Sequence, residues 1–155
     1  GGLAVLFALL PRIDPLGENV AEFQAAYDGF AVATLGFLAY IDGLVLASNL
    51  GLEFGMIQAT APAVGALYLL LAVLLRRAEQ NWFVGIRTPW TLSDERVWDR
   101  THRHAAPLFV VAAALALGAA VFPEYATVFL AVPAVVIALG STLYSFVLYR
   151  RLDHT

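Results

Sequence analysis

The sequence predicts an all-α fold: a polytopic transmembrane helix bundle with four full spans, a partial N-terminal one and an interfacial cytoplasmic helix. Three observations lead there. Of the 155 residues, 61% are hydrophobic and 14% charged, with a mean hydropathy of +0.77, whereas a soluble domain is roughly half apolar and about a quarter charged. Four windows meet the ~20 apolar residues that a hydrocarbon core about 30 Å thick demands of a helix. All nine positive charges are arginines, and all fall on one side of the alternation those windows create. This composition argues against a disordered chain, an ordinary soluble enzyme and a nucleic-acid-binding domain. A net charge of −3 offers no footprint for direct contact with nucleic acid. Without cysteine there are no disulfides, thiolate nucleophiles or Cys-based zinc sites. Arginine without any lysine fits a GC-rich genome or salt adaptation, and either suggests a prokaryote.

The chain reads as one membrane domain over 1–155. Residues 2–10 are apolar but too short to span, and Pro11 is expected to end them. They lack the positive start and small-residue cleavage site of a signal peptide. They read as the tail of a longer helix or a partly inserted one, and a start at Gly1-Gly2 without Met suggests a truncated or processed terminus. In residues 11–28, Val20, Phe23 and Tyr27 recur at helical spacing beside Glu18, Glu22 and Asp28, which predicts a short acidic amphipathic segment. It should pack on the arginine-rich connection, with Glu22 or Asp28 facing Arg87 or Arg103.

Spans follow at 29–49, 58–75, 105–122 and 126–149. Alternation puts Arg12, Arg76, Arg77, Arg87, Arg96, Arg100, Arg103, Arg150 and Arg151 on one side. The positive-inside rule makes that side cytoplasmic, in a multi-pass protein of the cell membrane. Trp82, Trp90, Tyr125, Tyr144 and Tyr149 fall near span ends, as an aromatic belt would. Ala112, Ala116 and Ala120, flanked by Ala114 and Gly118, predict a face on which helices approach closely. Gly51 and Gly55 have similar spacing but lie in a connection. Pro62 is expected in a first helical turn, where it is tolerated, and Pro133 should kink its helix or delay its start. The likeness of Ala61-Pro62-Ala63-Val64 to Val132-Pro133-Ala134-Val135 is a faint sign of an internal repeat.

Residues 76–104 form a 29-residue connection with all three tryptophans and six of the nine arginines, too long for a structureless loop. Pro89 predicts a turn over 85–89. Thr91 or Ser93 can then cap a helix led by Asp94 and Glu95. Trp90, Asp94, Trp98 and Thr101 share a face, so this helix is expected along the membrane surface, with aromatics down and arginines at the phosphates. It can run on into the next span, bent at Pro107. Trp- and Arg-rich interface segments are often simple anchors, and that reading stands beside a specific binding site.

The run Asn81-Trp82-Phe83-Val84-Gly85-Ile86-Arg87-Thr88-Pro89-Trp90-Thr91-Leu92-Ser93-Asp94-Glu95, then Val97-Trp98 and Thr101-His102-Arg103, resembles the signature of the SdpI-like membrane proteins. It keeps their Asn, Gly, Arg-Thr, Ser-acid-Glu, Trp and Thr-His-Arg positions in order, directly before a membrane helix. The resemblance extends loosely over 30–150, and part of the family's N-terminal region has no counterpart here. It implies a membrane protein without enzymatic activity. The family is named for immunity to a secreted peptide toxin and is associated with signalling in which a cytoplasmic repressor is held at the membrane. Carried over by position, Asn81, Gly85, Arg87, Thr88, Trp98, Thr101, His102 and Arg103 form a functional cytoplasmic surface. With the interfacial Trp90, they are expected to meet lipid or a protein partner.

Asp42 lies inside a span, where a carboxylate is costly and a default functional candidate. It reads either as a proton or cation site, the core of a small transporter, or as a hydrogen-bonded acid near the outer interface. His102 and His104 project about 200° apart on a helix, which argues against one shared metal and for solvated or lipid-facing rings. No nucleophile elbow or phosphate loop is present, and no cofactor is implied. Three functions remain: immunity or signalling by binding, an accessory subunit of a larger membrane complex, and an Asp42-dependent transporter.

Overall fold

A computed structural model describes residues 2–13, 24–82 and 84–152. Six α-helices appear among them: α1 (Gly2–Ile13), α2 (Gln24–Asn49), α3 (Met56–Arg77), α4 (Pro89–Ser93), α5 (Glu95–Val121) and α6 (Ala126–Leu152), with a 3₁₀ turn at Pro123–Tyr125. No strand occurs among the described residues. Helices α2, α3, α5 and α6 are each long and apolar enough to cross a membrane. They alternate in direction, so the arginines closing α3 and α6 lie at the same end as those opening α5. The 12 residues of α1 reach only about 18 Å, short of a crossing. Its backbone stays helical through Pro11 to Ile13, past the expected stop.

Local chemistry sets the helix ends. Leu52 N–H bonds Ala47 O and Gly51 N–H bonds Ser48 O, with Gly51 at φ +87°. This pairing closes α2 with a left-handed glycine, so Gly51 terminates a helix instead of packing one. Asp94 caps α5 by accepting from Arg96 N–H at 2.8 Å. Arg76 and Arg77 end α3, and Arg150 and Arg151 fall in the last turn of α6, where the helix dipole favours cations.

The core is a seam of small side chains. Ala112, Ala113, Ala116 and Ala119 of α5 are buried, as are Ala61 and Gly65 of α3. A Cβ added to Gly65 would stand 3.2 Å from Ala113 O and 3.6 Å from Ala116 Cβ. The backbones are therefore near the closest approach that small residues permit. The packed face is Ala112/Ala113–Ala116–Ala119. Ala114 is exposed and Ala120 only half-buried, so the expected stripe is rotated by about one position. On the other side of α5, Phe129 of α6 covers Gly118.

Both span prolines lie within helices. Pro62 is in the second turn of α3, not the first as expected, and Pro133 is at the start of the third turn of α6. Each has a tyrosine from a neighbouring helix bonded to the carbonyl three residues before it. Tyr40 Oη donates to Ala59 O at 2.9 Å, and Tyr68 Oη donates to Leu130 O at 3.2 Å. Each hydroxyl thus enters the stretch where proline removes a helical donor.

At the arginine-bearing end, residues 95–104 run straight on into the span, one of the arrangements expected for them: α5 is continuous from Glu95 to Val121 through Pro107. Only the five residues of α4 stand apart. The acidic segment 14–23, with Glu18 and Glu22, lies outside the described residues. Of its expected contacts, Asp28 bonds Gln24 and Arg103 pairs with Asp99, so no Asp28–Arg103 bridge forms.

Candidate functional site

The connection between α3 and α5 folds into a cap over the arginine-bearing end, held by three sets of buried bonds. The first closes a turn. Asn81, fully buried, donates Nδ2 to Glu79 O and Val84 O and accepts Val84 N–H on Oδ1 at 2.6 Å. A side-chain amide carries donor and acceptor together, which is why asparagine suits this position.

The second centres on His102. Its Nε2 accepts Ile86 N–H at 2.9 Å, and its Nδ1 lies 2.8 Å from Trp98 O. These partners require a neutral ring, with Nδ1–H donating to the carbonyl and Nε2 free to accept. The ring stacks on Trp98 at 4.1 Å between centroids, and Trp98 Nε1–H donates to Ala78 O at 2.8 Å. Gly85, at φ +116°, lies directly on this pair: a Cβ there would be 2.4 Å from His102 Nε2 and 3.1 Å from Trp98 Cη2. His102 belongs to the first turns of α5, which carry Glu95, Arg96, Asp99, Arg100 and Arg103 and precede the apolar stretch from Ala105. Burial lowers its pKa to about 4, against smaller opposing effects of the Trp98 carbonyl and Asp99.

The third set ties the cap to α6. Thr88 caps α4 in a reciprocal box with Thr91: Thr91 N–H bonds Thr88 Oγ1, and Thr88 N–H bonds Thr91 Oγ1. Thr88 Oγ1 also sits 3.0 Å from Ser145 Oγ, which donates to Thr142 O. Thr88 Oγ1 also donates to Thr91 Oγ1 at 3.3 Å, and either hydroxyl can be the donor in the contact with Ser145. Gln80 Nε2 donates to Thr91 O at 2.7 Å.

The nine motif residues therefore divide by exposure. Asn81, Thr88, Trp98, Thr101 and His102 are buried. The expectation of solvated or lipid-facing histidines fails for His102, since its i−4 carbonyl and the Ile86 amide give the ring polar partners inside. His104 is exposed and stacks on Tyr144. The expected membrane-facing set Trp90, Asp94, Trp98 and Thr101 does not act as one face, because Trp98 and Thr101 turn into the bundle while Trp90 packs on Phe146. Arg87 and Arg103 are exposed. Arg87 Nη1 donates to the Trp82 carbonyl, and Arg103 pairs with Asp99 at 3.0 Å. Asp42 is exposed on α2, away from the cap. Sequence reasoning missed Gln80 and Ser145 as partners of the cap; only their polarity beside apolar stretches marked them.

Two apolar grooves flank the loop at 84–88. One, of about 230 Å³, lies under Val84 and Ile86 against Phe7, Tyr27, Phe30 and Leu74. The other, of about 340 Å³, runs from Arg87 and Thr88 along α6. No cluster able to hold a metal ion occurs among the described residues.

Residues 77–145, the cap with α5 and most of α6, match the SdpI/YfhL protein family. The chain is similar to that family over those residues. It is 32% identical over 106 residues to a protein of Bacillus subtilis (strain 168) named Immunity protein SdpI, covering 68% of this chain and 51% of that one. The chain thus spans about half the length of the curated relative it matches. No solved structure matches it. The family match takes in all three sets of cap bonds, including their reach to Ser145 at its last position. The matched residues therefore include the whole folded cap.

Proposed function

We infer that the chain is a membrane immunity protein that works by binding. Its spans meet a membrane-active peptide toxin, and the capped end, lying on the cytoplasmic side, holds a soluble partner such as a repressor. The observation that carries this is the likeness to Immunity protein SdpI over 106 residues. The geometry supports binding over catalysis. The polar motif side chains Asn81, Thr88 and His102 are engaged with backbone groups and with the hydroxyls of Thr91 and Ser145, so they shape a surface. What that surface presents is Trp82, Arg87, Arg96, Arg100 and Arg103, suited to an acidic protein face or to lipid phosphate.

The test is expression of the full chain in toxin-sensitive cells that lack their own immunity protein. Survival is expected, and it should fall when Trp82 and Arg100, two exposed residues whose side chains make none of the cap bonds described above, are both changed to alanine. If wild-type expression gives no protection although the protein reaches the membrane, immunity is wrong. An accessory-subunit role then leads, favoured by the open apolar flank of α2, where Val32, Leu38, Val45 and Leu46 are exposed.

A further inference from the structure

The groove along α6 combines features that an ordinary lipid-facing helix crevice lacks. Its mouth is formed by Arg87 and Thr88, and its floor by Phe109 and Ile137. The Arg87 guanidinium is exposed, uses Nη1 on the Trp82 carbonyl, and has no salt-bridge partner among the described residues. Ser141 lines the groove. The residue is 1% exposed, and its hydroxyl is buried without a hydrogen-bond partner. A serine in a membrane helix ordinarily satisfies itself on a nearby backbone carbonyl, and an orphaned buried hydroxyl calls for an explanation.

The dimensions match one class of ligand. From Thr142 to Ala134 the groove follows α6 for eight residue steps, about 12 Å at 1.5 Å per residue. That is most of the apolar depth of one leaflet, about half of a 30 Å core. Ser141 lies one turn deeper than Ser145, which bonds the mouth residue Thr88, so its hydroxyl is about 6 Å below the level of Arg87 and Thr88. A glycerophospholipid has this order of groups: a phosphate at the surface, ester carbonyls just beneath it, and an acyl chain below. Arg87 supplies planar donors for the phosphate, Ser141 a hydroxyl for an ester carbonyl, and the floor an apolar track.

We propose that this groove is a binding site for one anionic phospholipid of the leaflet on the arginine-bearing side, with Arg87 on the phosphate and Ser141 on an ester carbonyl. The proposal rests on the membrane reading of the chain and not on immunity. Because lipid binding is read in purified protein without toxin, its failure and the failure of the immunity reading are separate results.

The experiment is native mass spectrometry of the full chain in detergent, titrated with dioleoylphosphatidylglycerol or dioleoylphosphatidylcholine. Phosphatidylglycerol should occupy a first site at roughly tenfold lower concentration, since the choline cation of phosphatidylcholine repels Arg87 and offsets the phosphate charge that both lipids carry. Arg87→Ala should abolish the preference. Ser141→Ala should weaken the first site several-fold without lowering the melting temperature, whereas a purely structural hydroxyl would leave binding unchanged. Ala138→Phe, at an exposed position lining the groove, should remove the first site while the protein stays folded. Equal binding of the two lipids, or an intact first site in Ala138→Phe, overturns the proposal in favour of general annular lipid. Displacement of the lipid by millimolar glycerol 3-phosphate would indicate a free-phosphate site and overturn it as well.

Discussion

Replacing Gly85 with alanine tests whether the cap depends on the contact between its glycine and His102. Two costs are expected. At φ +116° an L-residue is strained by about 1–3 kcal/mol. The new methyl would also lie 2.4 Å from His102 Nε2, a distance no carbon–nitrogen contact tolerates. The ring has little room to yield, being stacked on Trp98 and tied to its carbonyl at 2.8 Å. The loop must therefore move, breaking the Ile86–His102 bond, and a buried donor and acceptor left unmade cost about 1–3 kcal/mol. A total of about 2–6 kcal/mol follows, concentrated in residues 84–88.

Hydrogen exchange in detergent, read at the Ile86 amide, measures this locally, and thermal unfolding measures it globally. Ile86 should lose its protection in Gly85→Ala while amides in the middle of α3 and α5 keep theirs. A double-mutant cycle then isolates the steric part. His102→Ala removes the atom that the methyl would strike, so the double variant should be less destabilised than the two single effects added, by about 1–2 kcal/mol. If the two effects add, or if Ile86 stays protected in Gly85→Ala, the glycine is not there to admit His102 and the reasoning fails.

Three further outcomes follow from the same bonds. The folded pKa of His102, about 4, lies below the ordinary value of about 6.5. Its contribution is therefore fully present above pH 6.5 and lost as pH falls toward 4, about 3 kcal/mol in all. Thermal unfolding of the wild type between pH 7.5 and 4.5 should show a drop that His102→Gln lacks, and an equal drop in both would contradict this origin. Thr88→Val and Ser145→Ala should each destabilise, with a coupling of about 0.5–1.5 kcal/mol in their cycle, and additivity in chemical unfolding would mean the 3.0 Å contact carries no energy. Asp94→Ala should cost about 1 kcal/mol by removing the cap of α5, read as a lower melting temperature, whereas Asp94→Ser should recover most of it.

The spans were legible because lipid imposes a one-dimensional rule. A run of about 20 apolar residues must be a helix when no water is present to satisfy its backbone, and arginine placement then orders the runs. The same rule explains the misses at span edges. Residues 95–104 carry five charges among them, Glu95, Arg96, Asp99, Arg100 and Arg103. Hydropathy stops at Ala105, yet the backbone continues because Asp94 starts the helix ten residues earlier and nothing before Phe122 ends it. Hydropathy reports where the lipid is, and capping reports where the helix is.

The cap was legible only as a list of residues. Periodicity put Trp98 and Thr101 on one face of a helix, but the identity of that face depends on what lies across from it. Here it is the backbone of Ala78 and the turn at Gly85, which come from the far side of a loop. His102 shows the point most sharply. A histidine between arginines reads as a surface residue, and it becomes interior because a glycine 17 positions earlier adopts φ +116° and the next amide then points at its ring. Neither half of that bond has a sequence signal of its own. The pairing shows only in the whole motif, whose apparent chemistry of Asn, Thr and His is spent on building a rigid edge. The arginines, tryptophan and apolar groove along that edge are what it turns outward toward another molecule.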